Sequence, residues 1–539
     1  VTDLTDSEQR LVAAVGSGEV LDLSGPGDRS VRARVVRDLL RGVLTADPDP
    51  RGVRLKGAVV EGELDLTDLR TALPLVLLAC TSDEPLVLVR AHLPHCDLTG
   101  SRFRAVGAAS LRCDHDLVLR DTRCERGVDL TDARISGSLV LEGAHLGNPE
   151  GPALAADGVT VGGDVVLRDG FRADATSTLG AVRLLGAAVT GQLDLRGAHL
   201  ANPEGPALAA DGIAVKGDVF LNEGFRAEAA SADGAVRLLS ARISGSLSLG
   251  GARLDNPEGP ALLADGVAVD GDVLLNEGFR AEATCADGAV RLHGAAVAGQ
   301  FFVEGATLRN RHEDRLCLDL ASAAVGGDLA LPLDALGTPD EPGRVVLDGL
   351  RYPAIPWGAT LSEWLTLLRE RTTTYAAQPY QQLAVVHRAA GHERDARRVL
   401  VAQQRDLRRR GDLGGPLRRA LHATGGVLIG YGYRPWRALA FLLAVLGLAT
   451  ALVLSADANH LTAHPRAVGG DPCTLVENVG LGADIAIPLL GTGGKQRCEL
   501  TTATTAGQWH LGAAYVLQVL GWAFATLFVA GYTGLVRKT

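Results

Sequence analysis

Residues 148–173 read NPEGPALAADGVTVGGDVVLRDGFRA, and close copies of this stretch begin at Asn202 and Asn256, a period of 54 residues. GFRA recurs from Gly170, Gly224 and Gly278, and GAVRL from Gly180, Gly234 and Gly288, in the same step. Three markers in register establish an internal repeat, which fixes the class of architecture before anything else is read. Each unit divides again. The pattern Gly-x-apolar-x-apolar opens at Gly137, Gly163, Gly191, Gly217, Gly245, Gly271, Gly299 and Gly327, in steps of 26 or 28 residues. GELDL at Gly62 is a further copy. PLVLV near Leu86 and DLVLR near Leu117 are degenerate ones, giving about eleven rungs.

The physics of a rung is simple. Alternation such as Leu193-Asp194-Leu195 puts two aliphatic side chains on one face of a short strand. A lone strand cannot bury that face, but a stack of copies can, with backbone hydrogen bonds running from coil to coil. An apolar period of two, with frequent glycine, excludes leucine-rich and tetratricopeptide repeats here. The glycines suit corners that need positive φ or have no room for Cβ. Composition agrees: the 539 residues are 47% hydrophobic and include 66 Gly, yet only 4% are aromatic. A narrow interior accepts small aliphatics, whereas a large globular core draws on Phe, Tyr and Trp. The apolar content excludes disorder, and the glycine spacing excludes collagen.

Residues 91–105, AHLPHCDLTGSRFRA, set Leu93, Leu98 and Phe103 five apart. This resembles the pentapeptide repeat, which implies a right-handed quadrilateral coil. The expected fold is mainly β, a right-handed β-solenoid over residues 51–350. Its exposed strand edges call for caps. Ser7–Val15 and Ser30–Leu44 have helical spacing, so residues 1–50 read as a helical cap. Residues 351–433 read as a helical spacer. It holds a helix over Thr360–Arg371, a helical hairpin (QPYQQLAVVHRAAGHERDARRVL) similar to one tetratricopeptide pair, and an amphipathic interfacial helix over 416–431.

Residues 434–539 read as a two-helix membrane module. Ala438–Ala456 and Leu511–Val536 carry no charge and reach the roughly 20 residues that cross a bilayer. Arg408, Arg409, Arg410, Arg418, Arg419, Arg434 and Arg437 precede the first span, and Arg537 and Lys538 follow the second. The loop 457–510 has only Arg466, Lys495 and Arg497. The positive-inside rule predicts a multi-pass protein of the inner membrane with both termini cytoplasmic and the loop exported. Cys473 and Cys498, alone among the eight cysteines, fall in that loop and are the predicted disulfide pair. Gly521 and Ala525, four apart, are candidates for close helix packing.

No catalytic, cofactor-binding or metal-ligating residue is expected. His92, His95, Cys96, Cys113, His115 and Cys124 cluster in sequence but match no standard zinc spacing. GLGADIAIPLLGTGGK fails both nucleotide fingerprints. The net charge of −10 gives no support for nucleic-acid binding, and no small-molecule substrate is indicated. Columns at Asp164, Asp218, Asp272 and Asp328, at Arg172, Arg226 and Arg280, and at Glu150, Glu204 and Glu258 read as turn-bonding or water-facing residues. The apolar stretch Leu475–Leu490 between the spans has the layout of two-helix channels, without a TVGYG filter.

SVRARVVRDLL, GELDL, the hairpin sequence above and FATLFVAGYTGLVRK together resemble a group of actinobacterial membrane proteins. That group is commonly labelled "membrane-associated oxidoreductase" or pentapeptide-repeat membrane protein. The label implies a redox cofactor, and no residue here matches a site for one. The expected function is a non-catalytic cytoplasmic scaffold tethered to the membrane, with the lipid bilayer, protein partners or a second copy as its contacts. An oligomeric ion-channel-like protein and an oxidoreductase are the alternatives.

Overall fold

The computed structural model describes residues 4–338, 340–411, 414–429, 431, 436–464, 472–487 and 491–533, with only the backbone at 417, 421, 425, 427 and 429. The chain forms two compact units, Val1–His392 and Glu393–Thr539.

The first unit is a β-solenoid built from four parallel sheets, here called faces I to IV in the order the chain visits them. Face I has thirteen strands, face II nine, face III twelve and face IV ten. Thirteen strands on face I enclose about twelve turns, one more than the rung count from sequence. The reason is local. From Gly137 onward the sequence marker sits just before each face I strand, but GELDL and PLVLV lead into Leu64–Asp65 and Leu86–Val87 on face III. The early face I strands Val53–Lys56, Leu75–Leu78 and Cys96–Asp97 carry no marker glycine. Where the glycine does occur, backbone packs on backbone. Gly245 N donates to Gly217 O at 3.1 Å and Gly271 N to Gly245 O at 2.9 Å. A Cβ on Gly245 would lie 2.7 Å from the Gly217 carbonyl.

Coil length changes along the stack. Leu75 to Cys96 and Cys96 to Leu117 are 21 residues, Leu117 to Leu139 is 22, later coils alternate between 26 and 28 as far as Phe301, and the last, Phe301 to Leu329, is 28 again with Ala306 before its face II strand. Nearly all the growth falls on face II and its exit. The step from face II to face III is five residues at Arg123 to Val128, nine at His145 to Leu154 and ten at Arg172 to Val182. Face II strands widen from two residues (Arg123–Cys124) to four (Arg172–Ala175). The 28-residue coils that begin at Val165, Val219 and Val273 place Phe171, Phe225 and Phe279 just before that strand, and the 26-residue coils place Ala144, Ala198 and Ala252 there. All six are buried, so a large side chain alternates with a small one along the interior.

Helices close both ends. Helix α1 (Asp6–Ser17) opens with a capping box between Thr5 and Glu8. Helix α2 is Ala33–Leu40. The helix expected from Ser30 begins later, because Ser30–Arg32 is a strand paired with Val59–Glu61. Leu21–Asp22 likewise pairs with Leu55–Lys56, so the cap satisfies the first sheet edges with strands of its own. After the last face III strand, Arg344–Val346, come α3 (Leu361–Thr366), which runs on as a wider turn over Leu367–Arg371, and α4 (Gln378–Ala389). Gln378 stands in for a missing strand. Its Nε2 donates to Leu350 O and its Oε1 accepts from Gly349 N, both at 2.9 Å.

The second unit holds α5 (Glu393–Arg410), α6 (Pro416–Ile429), α7 (Trp436–Ala458), α8 (Leu475–Ala486), α9 (Gly494–Arg497) and α10 (Thr505–Tyr532).

Candidate functional site

The second unit concentrates the features that set this chain apart from a plain solenoid. Helices α7 and α10 have 23 and 28 residues and are long and apolar enough to cross a membrane. Leu439, Phe441, Leu443 and Leu448 on α7, and Val516, Val519, Trp522 and Val529 on α10, are exposed. Such apolar faces are what lipid accepts and water does not.

Between them the chain forms a small, tightly tied domain. Cys473 and Cys498 are joined as a disulfide, with Cα atoms 6.0 Å apart. Thr462–Ala463 pairs antiparallel with Glu499–Leu500. Helix α8 starts at a capping box, where Thr474 N donates to Glu477 at 3.0 Å. That backbone bond holds the Glu477 carboxyl below its usual value.

Helix α8 runs between the two long helices. Val445, Ala449 and Val453 of α7, Leu481, Ile485 and Ala486 of α8, and Ala514 of α10 share one buried cluster with the disulfide. Two glycines permit the approach. A Cβ on Gly482 would lie 2.8 Å from Thr450 Cα, and one on Gly521 would lie 2.0 Å from the Ala486 carbonyl oxygen. Gly521 stands ten residues past Leu511, about 15 Å along the helix axis. Thr450 stands six residues before Ala456 and meets α8 one turn above Ala486, which again puts the end of α8 about 15 Å along the helix axis from Ala456. A hydrocarbon core is about 30 Å thick. Helix α8 therefore ends half-way along the apolar length of both long helices.

The chain then turns back. Asp484, buried in the last turns of α8, accepts from Thr492 N and Thr492 Oγ1, both at 2.8 Å, and from Lys495 N at 3.2 Å. This carboxylate ties the returning segment to the helix. A cavity of about 920 Å³ opens beside it, lined by His464, Ile485, Lys495, Thr501, Tyr515 and Gln518 among others. Lys495 Nζ reaches Gln518 Oε1 at 3.3 Å.

Arg408, Arg409 and Arg410 form the last turn of α5, where Arg410 is committed to the buried Asp406. Arg418 and Arg419 are exposed on α6, and Arg437 lies in the first turn of α7. Arg434, Arg537 and Lys538 lie outside the described residues. Gly521 packs on α8 rather than on the other long helix, and Ala525 is half-buried. In the first unit, Cys96, Cys113 and Cys124 point inward from faces I, IV and II. Burial pushes the thiol of Cys113 up to about 11 and that of Cys124 up to about 12, so both stay protonated. His92 instead faces outward to Asp114 at 2.9 Å. The Asp column bonds turns: Asp164, Asp218 and Asp272 accept from the backbone N of Gln192, Ser246 and Gln300 in the next coil. The sequence signals for α8 are the apolar stretch Leu475–Leu490 between the spans and the two glycines that accommodate the helix.

No protein-family model, curated protein or solved structure matches this chain.

Proposed function

We propose that this chain is a membrane-tethered β-solenoid scaffold, held in the inner membrane by α7 and α10 with the solenoid on the cytoplasmic side. The observation that carries the reading is the row of exposed large apolar side chains along both long helices. Orientation draws on the arginines of α5 and α6. It also draws on the cysteines: the disulfide sits between the long helices, while six free thiols sit in the first unit. The pentapeptide-like stretch supports a right-handed coil and the actinobacterial resemblance. Topology is tested with single-cysteine variants in intact cells. A membrane-impermeant maleimide labels Ala503→Cys from outside and Arg112→Cys only after lysis. The opposite pattern sinks the assignment of sides.

A second reading has its own observation, the half-depth helix α8. Non-helical backbone at membrane depth is tolerated where protein buries it or it lines a water-filled cavity. The carbonyl end of α8 is also the negative end of its dipole, suited to a cation. An oligomeric pore predicts ion flux in reconstituted bilayers that is lost on truncation after Arg437. Silent bilayers at high protein density remove this reading and leave the tether.

A further inference from the structure

Face II carries two columns of charge that the chain itself only partly cancels. Four of its strands have the form Arg-x-acid: Arg172-Ala173-Asp174, Arg226-Ala227-Glu228, Arg253-Leu254-Asp255 and Arg280-Ala281-Glu282. The middle residue of each is buried and the outer two face outward. In-register pairing stacks Arg226, Arg253 and Arg280 in one column, and Glu228, Asp255 and Glu282 in the next. Each step is about 4.8 Å. The rung between Arg172 and Arg226 holds His199 and Ala201 at the same places.

Some of this charge has a local partner. Glu228 lies 3.3 Å from His199, Glu282 accepts from Arg311 at 2.7 Å, and Arg172 bonds His199 at 3.1 Å. Arg226, Arg253, Arg280 and Asp255 form no ion pair among the described residues. Like charges opposite one another on neighbouring strands destabilise a sheet. The strain is visible at Asp255, where burial and then the Glu282 carboxylate push the carboxyl above its usual value. Glu282 also pairs in register with Arg309, so the acidic column ends on a positive charge; the arginine column and Asp255 stay uncancelled, and a local rule broken on a face of this width points to function.

We infer that face II docks in parallel on face II of a second copy of this chain, about a two-fold axis running along the solenoid. That axis brings each rung against the same rung and exchanges the two columns. Arg226 then meets Glu228 of the second copy, Arg253 meets Asp255, Arg280 meets Glu282 and Arg172 meets Asp174. A two-fold axis across the solenoid would set arginine on arginine instead, so charge selects the parallel arrangement. A linear polyanion fits less well, because the acidic column runs two residues from the arginines along every one of these strands.

The contact is small. Seven strands of four residues make a patch of about 13 by 34 Å, roughly 450 Å² per copy against about 800 Å² in a standard interface. The pairing is therefore weak and sensitive to salt. Confinement of two copies to one membrane raises their encounter, but the charge argument stands without it.

The test uses the full chain in detergent micelles, with donor or acceptor fluorophores attached at the N-terminus. Parallel docking sets the two caps level and gives energy transfer between copies at low salt that fades at high salt. The triple variant Arg226→Glu, Arg253→Glu, Arg280→Glu associates at least roughly tenfold more weakly. The variant Glu228→Arg, Asp255→Arg, Glu282→Arg does the same. Mixing the two restores transfer, and so does combining all six changes in one chain, which rebuilds the complementarity with the columns exchanged. Background transfer in the wild type overturns the inference. So does undiminished transfer in either triple variant, or failure of both the mixture and the six-fold exchange to restore it. Because the readout follows the columns, it is independent of whether α8 lines a pore.

Discussion

The coils before Leu139 and those after it are two versions of one turn, and they differ in how the gap between coils is bridged. In the narrow coils a hydroxyl suffices. Ser101 Oγ donates to Leu77 O at 2.8 Å and accepts from Cys80 N at 3.0 Å, and Thr122 Oγ1 donates to Leu98 O at 3.0 Å. In the wide coils an asparagine does the work. Asn256 Nδ2 donates to Ser231 O at 2.8 Å and Pro260 O at 2.7 Å, while its Oδ1 accepts from Ser231 N at 3.0 Å. Asn202 and Asn310 repeat the arrangement. Ser101, Thr122 and Asn256 are fully buried. Widening face II thus required a longer polar bridge and a larger apolar filler, the recurrent phenylalanine. Coil size here is set by what fills and spans the interior, because an unfilled void or an unpaired peptide group costs more than the extra chain.

The largest effect is expected of Phe225→Ala, which leaves the wide interior unfilled and destabilises its coils by about 4 kcal/mol. A stack of repeats need not unfold as one, so the measurement is amide exchange around Val219–Leu247 rather than a global melt. Unchanged protection there means the Phe and Ala alternation does not set the 26 and 28 rhythm. Asn256→Ala follows at about 3 kcal/mol, since it strips the partners from several buried backbone groups at once. Its signature is fast exchange at Ser231 N. Exchange left as slow as before shows that the bridge is dispensable.

The narrow end has its own buried charge. Glu8 is fully buried and is bonded to the side chain and the backbone N of Arg32 and to Thr5 N. The Arg32 hydrogen bond leads in pulling its carboxyl down to about 2. The folded value lies below the unfolded one of about 4.3, so the stabilisation is complete above that pH and is lost as pH falls through about 2. Glu8→Gln is expected to weaken the cap by about 2–3 kcal/mol at pH 7. The gap to the wild type should shrink on acidification, as read by exchange within α1. A gap constant from pH 7 to pH 2 excludes the ionised pair as its source.

Much of this architecture is legible in the sequence, for an identifiable reason. Period-two alternation reports which side chains are buried, and the 54-residue echo reports that the units stack. Neither reports which of four faces a strand joins. From sequence alone GELDL and PLVLV therefore line up with markers that belong to face I. The same blindness hid the charge columns. Arg172, Arg226 and Arg280 share the 54-residue step, but Arg253 comes from the other half-repeat, and only pairing sets it between Arg226 and Arg280. In the second unit, hydropathy marks two long helices and the apolar stretch Leu475–Leu490 between them, but not where along the long helices the twelve-residue one ends. Gly521 was readable as a close-packing site, whereas its partner, the carbonyl of Ala486, was not.

The smallest expected effect separates charge from backbone capping at the wide coils. Along face III, Arg183 pairs with Asp157, Arg237 with Asp211 and Arg291 with Asp265, each joining successive coils. The narrow coils place Val87, Gly107 and Asp129 in that outward column, and their ion pair at this corner, Arg90 with Asp68 at 2.7 Å, is exposed. The aspartate also caps a corner: Asp211 Oδ1 accepts from Leu239 N at 3.2 Å. Asp211→Asn keeps an oxygen for that bond and removes the charge, so it should cost at most about 1 kcal/mol, as partly exposed pairs do. The loss should vanish near 1 M salt, where screening acts within about 3 Å. Asp211→Ala removes both and should cost about 1 kcal/mol more, with the increment insensitive to salt. Exchange at Leu239 N reads the two apart. If Asn and Ala prove equally damaging, the ion pair holds the corner of the wide coils. If only Ala opens the corner, both kinds of coil are held by hydrogen bonds to backbone, and the arginines of face III merely cover them.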